Sequence, residues 1–299
     1  MSLSRMELDG SYSPLGLVTK ILAAEPTLKI PVPVEEIAQA LDIAEIQEME
    51  TDGFLGGLVT DAARSSGGIL VQKGLGRHRR RFTIGHELGH FLIPYHKPAN
   101  GDKFMCDRDA MRAWDTKKAS QFFKMEAEAN RFAAALVMPP PHIRKFLANF
   151  SEATLQAALD VHEAFDVSKE AAIRCYVENY GERLAAVITR HGKILHSYKH
   201  RDFPWIEARR GQPIPGGSHF HSHRGDKLSP LMPTNAEGWI ATEYGQRVPF
   251  MREQVLPMGK GFAVLMLWMD AEDDEHDPEE DMTSKERLAN RAEQYGRSL

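Results

Sequence analysis

His86, Glu87 and His90 spell H-E-x-x-H inside the stretch RFTIGHELGHFLIPY, which runs from Arg81 to Tyr95. On an α-helix, residues four apart stack on one face, so His86 and His90 can offer two imidazole nitrogens to one metal ion. Glu87 is turned about 100° from His86. Its carboxylate then lies beside the metal, where it can take a proton from a water. That is the chemistry of metal-assisted hydrolysis, usually on zinc (Zn2+). Two histidines can also fall at this spacing by chance on a buried helix, so the weight rests on what else the chain supplies.

A catalytic zinc site takes three protein ligands and leaves a fourth position open. A second helical pattern, about residues 116–138, carries FFKMEAEANRFAAALVM and is stopped by Pro139, Pro140 and Pro141. Within it Glu126 shares a face with Phe122, Ala129, Asn130, Ala133 and Val137, whereas Glu128 shares one with Gln121, Lys124 and Arg131. A carboxylate on a small, apolar face is costly without a cation. Glu126 is therefore expected to be the third ligand, and Glu128 a surface partner of Lys124 or Arg131. Asn130, one turn beyond Glu126, can hold a ligand from behind. Cys106 falls in the loop expected over residues 94–113. It is a candidate inhibitory fourth ligand, because a thiolate there would displace the water and keep an enzyme latent. An ordinary half-buried cysteine is the other reading.

The elements that must position these residues follow from periodicity. Phe82, Ile84, Leu88, Phe91 and Leu92 recur at helical spacing, and Pro94 marks the stop. Gly85 and Gly89 cost such a helix about 1 kcal/mol each relative to alanine, but they leave a smooth strip where another element can come close. Residues 14–24 and 34–42 read as helices, and 54–59 and 68–72 as short strands around a turn-forming segment, 61–67. The run Arg77, His78, Arg79, Arg80 and Arg81 opposes the helix dipole. It is expected as a solvated turn with acidic neighbours. The alternative is a basic rim for an acidic partner or a phosphate backbone. Residues 142–149 form a short helix, and 152–165 and 168–180 a pair that can be drawn as a helix-turn-helix with Ser168 as N-cap. Lys169 and Arg174 are too few for DNA reading, so packing against the preceding core is the expected role.

The character changes at Arg183. Strands are expected at 184–190 and 193–198, around a His191-Gly192 turn, and at 239–244, 248–257 and 262–269. His219, His221 and His223 alternate, so on a strand they would share one face, as a second metal site or a ligand-contacting surface. Residues 270–281 are strongly acidic and read as a solvated linker, with one polar helix over 284–295. The expected class is α+β. A zinc metallopeptidase domain covers 1–150, a helix-turn-helix-like segment 151–182, a smaller sheet-rich domain 183–270 and an acidic tail 271–299.

With 299 residues, 42% of them apolar, the chain can bury more than one core. A net charge of -5 does not mark a general nucleic-acid binder. Two cysteines make no disulfide framework and fit a reducing compartment. The N-terminus carries no apolar signal-like run, and the longest apolar stretch, 262–269, is too short to span a bilayer. A cytoplasmic protein with no membrane partner is expected.

RFTIGHELGH followed by EAEANRFAAALVMP resembles the ImmA/IrrE zinc metallopeptidases, over about residues 14–181. The resemblance implies a compact zincin-like, gluzincin-like fold and supports a glutamate four residues before Asn130 as third ligand. It also implies cleavage of a repressor or anti-repressor partner that switches on a stress response. Some members carry a C-terminal GAF-like sensory domain, and some serve phage defence and answer to single-stranded DNA. The expectation is thus a zinc endopeptidase whose substrate is a helix-turn-helix repressor. His86, His90 and Glu126 hold the ion and Glu87 is the general base. Single-stranded DNA would act on residues 77–81 or on the C-terminal domain. Tyr95, His96 and the histidines near 221 are oxyanion candidates. Two other classes stay open: a zinc-containing regulator that binds DNA or a partner without cutting it, and a ligand sensor with a vestigial peptidase.

Overall fold

The computed structural model describes residues 1–97, 103–107, 111, 120–241 and 249–269. The expected start of the second long helix near residue 116, the C-terminal part of the expected strand 239–244, and the tail 271–299 lie outside the described residues. The chain forms two compact units, Met1–Gly181 and Glu182–Leu299.

In the first unit, Ser13 caps α1 (Pro14–Ala24) by accepting from the Gly16 amide, and α2 (Val34–Ala40) follows. A four-stranded sheet is ordered β1-β3-β2-β4. β1 (Ile43–Met49) runs parallel to β3 (Gly67–Gln72), and β2 (Gly56–Thr60) lies antiparallel between β3 and β4 (Lys103–Cys106). Gly67, Ile69 and Val71 alternate inward along β3, which gives the sheet one buried face. Two of these strands depart from expectation. β1 is exposed along most of its length, so its composition carries no apolar run. β4 lies in the expected 94–113 loop, and four residues are too few to display a period of two.

The helix carrying H-E-x-x-H, α3 (Arg77–Leu92), starts one turn earlier than its apolar pattern. The basic run is helix, not turn, because carboxylates from elsewhere offset its charge. Asp166 takes Arg77 Nε at 2.7 Å, Arg81 Nε at 3.2 Å and His78 Nε2 at 3.3 Å. Arg80 pairs with Glu35 and with Glu48 at 3.3 Å. Asp166 sits in the left-handed region, φ 53°, between α6 (Leu155–Phe165) and α7 (Lys169–Asn179). Helices α4 (Gln121–Val137) and α5 (Pro140–Leu147) precede that pair.

The second unit is a five-stranded antiparallel sheet ordered β6-β5-β9-β8-β7. Its strands are β5 (Arg183–Arg190), β6 (Lys193–Lys199), β7 (Met232–Thr234), β8 (Met251–Gly259) and β9 (Phe262–Met269). Val187, Val255 and Leu265 of one face join Phe203, Ile206 and Trp239 in a core. Trp239 is not in a strand. It follows a 3-10 turn at Ala236–Gly238 and is wholly buried, and Ile240 beside it makes an isolated bridge to Ile206. His219, His221 and His223 are not on a strand either, since His219–His221 is a 3-10 turn. The buried Glu253 of β8 holds that turn, accepting from Ser218 Oγ at 2.5 Å, Thr234 Oγ1 at 2.9 Å and the His219 amide at 3.3 Å. The three rings reach separate carbonyls, His219 that of Pro233, His221 those of Ile214 and Pro215, and His223 that of Lys227, and among the described residues they do not converge on a second metal site. Among the described residues, no helix is long and apolar enough to cross a membrane.

Candidate metal centre

α3 presents His86, Glu87 and His90, all with no exposed surface. The two Nε2 atoms face each other at 3.1 Å. α4 lies across them and brings in Glu126, whose Oε2 is 3.2 Å from His86 Nε2 and whose Oε1 is 3.4 Å from His90 Nε2. The strand β4 delivers the buried Cys106. The donor atoms of His86, His90, Cys106 and Glu126 all lie within 4.8 Å of one another, the one such group among the described residues.

These residues fit a zinc ion. Zinc–nitrogen and zinc–oxygen bonds of about 2.0–2.2 Å in a tetrahedron place neighbouring donors about 3.3–3.6 Å apart. The measured separations of 3.1, 3.2 and 3.4 Å lie within or a few tenths of an ångström below that range. Burial pushes the His90 imidazole down to about 3, so it stays neutral with a lone pair to give. Glu126 is buried, yet the two imidazoles beside it hold its carboxyl below the ordinary carboxylate range. His86 Nδ1 donates to Asn130 Oδ1 at 2.9 Å, which turns Nε2 toward the cluster.

Glu87 stands beside this set. Its Oε2 lies 3.8 Å from Cys106 Sγ, and its Oε1 has no hydrogen-bond partner among the described residues. Burial pushes the carboxyl up to about 8. The backbone of β2 passes so close that a Cβ on Gly56 would collide with Glu87 Oε1 and Thr83 Cγ2. Glycine is required here for the strand to approach the site.

Three of the residues singled out from the sequence have partners that the sequence did not predict. Glu128 Oε2 lies 3.0 Å from His96 Nε2, because the turn after α3 folds back under α4. His96 is buried, with Nδ1 3.0 Å from His90 Nδ1, on the side of that ring facing away from Glu126. Tyr95 is 46% exposed and hydrogen-bonds Glu128. Arg64 gave no signal in the sequence. From the β2–β3 turn its guanidinium donates to the carbonyls of His90 at 2.9 Å, Phe91 at 3.1 Å and Ile93 at 2.7 Å, and to that of His96. A turn residue 26 positions upstream shares no period with the helix end it closes.

Part of the chain matches a known family model. Residues 44–175 match the family model described as IrrE N-terminal-like domain, Peptidase_M78. None of the curated proteins matches the chain. Among solved structures, a Mycobacterium tuberculosis transcriptional regulator is similar, at 14% identity and a TM-score of 0.47, over 88% of this chain and 73% of that one. The family match implies a metallopeptidase domain, and the buried His86, His90 and Glu126 cluster is consistent with one.

Proposed function

We propose, on the premise that residues 44–175 match the IrrE N-terminal-like domain model of Peptidase_M78, that the protein is a zinc-dependent endopeptidase. The observation that carries this reading is the convergence of His86, His90 and Glu126, buried, with Glu87 alongside and its Oε1 without a hydrogen-bond partner among the described residues. Those three residues would hold the ion. Zinc bound there would polarise a peptide carbonyl and bring the pKa of a water toward about 7. Glu87 accepts the proton of the attacking water and passes it to the leaving amine. Asn130 keeps His86 in the orientation this needs.

Cys106 is the proposed latch. As a fourth donor its thiolate would take the position the water needs, so the protein would be made latent. The proposed substrate is a partner helix-turn-helix repressor, and its cleavage switches on a stress or phage-defence response. Single-stranded DNA is the proposed activator. Arg77, Arg80 and Arg81 are engaged by Asp166, Glu35 and Glu48, which favours the C-terminal unit, read as a GAF-like sensor, over the basic run as its site.

The test uses the repressor encoded nearby, purified with this protein, with and without single-stranded DNA. Wild type is expected to cut it only with DNA, Cys106→Ala without DNA, and Glu87→Gln not at all while still holding zinc. Cleavage retained in Glu87→Gln would remove Glu87 from its role.

A second reading has its own observation. Four converging protein donors make a closed set, as in structural zinc sites. On that reading the protein is a zinc-containing regulator that binds DNA or a partner without proteolysis. It is favoured if no variant cuts the repressor and Glu87→Gln regulates normally in cells.

A further inference from the structure

His96 lies between His90 and Glu128, with both ring nitrogens engaged at 3.0 Å. It has no exposed surface. Its main chain is held as well, since Arg64 donates to its carbonyl and to that of His90.

The proton positions along this row follow from the donors and acceptors available. An imidazole that gives Nε2 to a metal must carry its hydrogen on Nδ1. If His90 does so, its Nδ1–H donates to His96 Nδ1, which then accepts. The hydrogen of His96 is left on Nε2, where the Glu128 carboxylate accepts it. No other arrangement leaves His90 Nε2 bare and satisfies every contact. His86 is held in the same sense by Asn130. α4 thus offers Glu126 to the cluster directly, Asn130 to the back of His86 and, through His96, Glu128 to the back of His90.

We infer that His96, fixed by Glu128, is a positioning residue that sets the tautomer and ring orientation of His90 for metal binding. The inference rests on the reading of the cluster as a metal site, but not on proteolysis. Groups behind a metal-bound histidine typically contribute 10–100-fold in metal affinity.

The test is zinc affinity of the full chain, measured at fixed pH by competition with a chromophoric chelator. His96→Phe keeps a ring but removes the acceptor, and is expected to weaken zinc binding about 10–100-fold. Glu128→Leu is expected to weaken it by a smaller factor, and Glu128→Gln, which keeps an acceptor oxygen, to stay near wild type. Long-range 1H–15N correlation spectra of the zinc-loaded wild type are expected to show hydrogen on Nδ1 of His90 and on Nε2 of His96. His96→Phe within twofold of wild type, or hydrogen on Nδ1 of His96, overturns the inference. Should His96→Phe fail to fold by circular dichroism, the Glu128 pair carries the test, and equal affinities for Leu and Gln overturn it. A wild type that does not compete for zinc overturns both this and the metal reading. One that binds zinc with the expected variant ranking but cuts nothing supports this inference and removes only the peptidase.

Discussion

Gly89 of α3 lies against Phe132 of α4 so closely that a Cβ on the glycine would stand 3.0 Å from Phe132 Cδ1 and 3.3 Å from the Ala129 Cα. One turn earlier, a Cβ on Gly85 would meet Ala133 at 3.4 Å. The strip of two glycines lets α4 come near enough for Glu126 to reach two imidazoles on α3. At Gly89 the obstacle includes backbone, so alanine must push α4 away. That costs about 1–3 kcal/mol, which exceeds the gain of up to about 1 kcal/mol in helix propensity. Gly89→Ala is expected to lower stability and zinc affinity together. Gly85→Ala meets ordinary contact distances and is expected to be neutral or slightly stabilising. Chemical denaturation and zinc competition on the two variants check this ranking.

A pH dependence follows from Glu87. Its carboxyl is raised from an ordinary 4.5 to about 8 by burial. In metal-free protein, between those values, the folded state keeps the proton that the unfolded chain loses. The folded state then binds more protons, so stability falls as pH rises through the window. Glutamine cannot ionise. The melting temperature of metal-free Glu87→Gln relative to wild type should therefore climb from about pH 4.5 to about pH 8 and level off above it. A difference that stays flat across that range would show that Glu87 is not buried as a neutral acid.

Arg64 closes the end of α3 through three carbonyls at 2.7–3.1 Å, and holds that of His96 too. These are charge-assisted bonds to carbonyls that a helix end leaves unpaired. Arg64→Met is expected to cost about 2–3 kcal/mol in denaturant unfolding. Arg64→Lys should recover part of it, because one ammonium cannot span the same carbonyls.

Asp166 neutralises the start of α3 from the turn between α6 and α7. Its side chain is 10% exposed and meets Arg77, His78 and Arg81. Asparagine tolerates the left-handed backbone and removes only the charge, so Asp166→Asn is expected to cost about 1 kcal/mol, less at high salt. Alanine must also adopt φ 53° and is expected to lose about 1–2 kcal/mol more. Equal losses for the two variants would mean that the backbone conformation relaxes.

Local spacing alone was enough to put His86 and His90 together on one helix, with Glu87 beside them, because residues four apart on a helix share a face whatever surrounds it. It was enough for α4 as well: Glu126 lies on a face of small apolar residues, and a carboxylate there calls for a cation. The two-part plan, helices and a small sheet and then a five-stranded antiparallel sheet, was legible from the change of period at Arg183. Tertiary structure decided what lies behind and beside those residues. Glu128 reads as a surface acid on its own helix, and only the path of the chain after Leu92 sets His96 against it. β4 owes its existence to a free edge on β2, not to a period of its own. His219, His221 and His223 keep the alternation of a strand, yet Glu253 of β8 draws them into a turn. Periodicity reports which way a side chain faces relative to its own element. Which groups it meets there depends on how elements distant in sequence are packed.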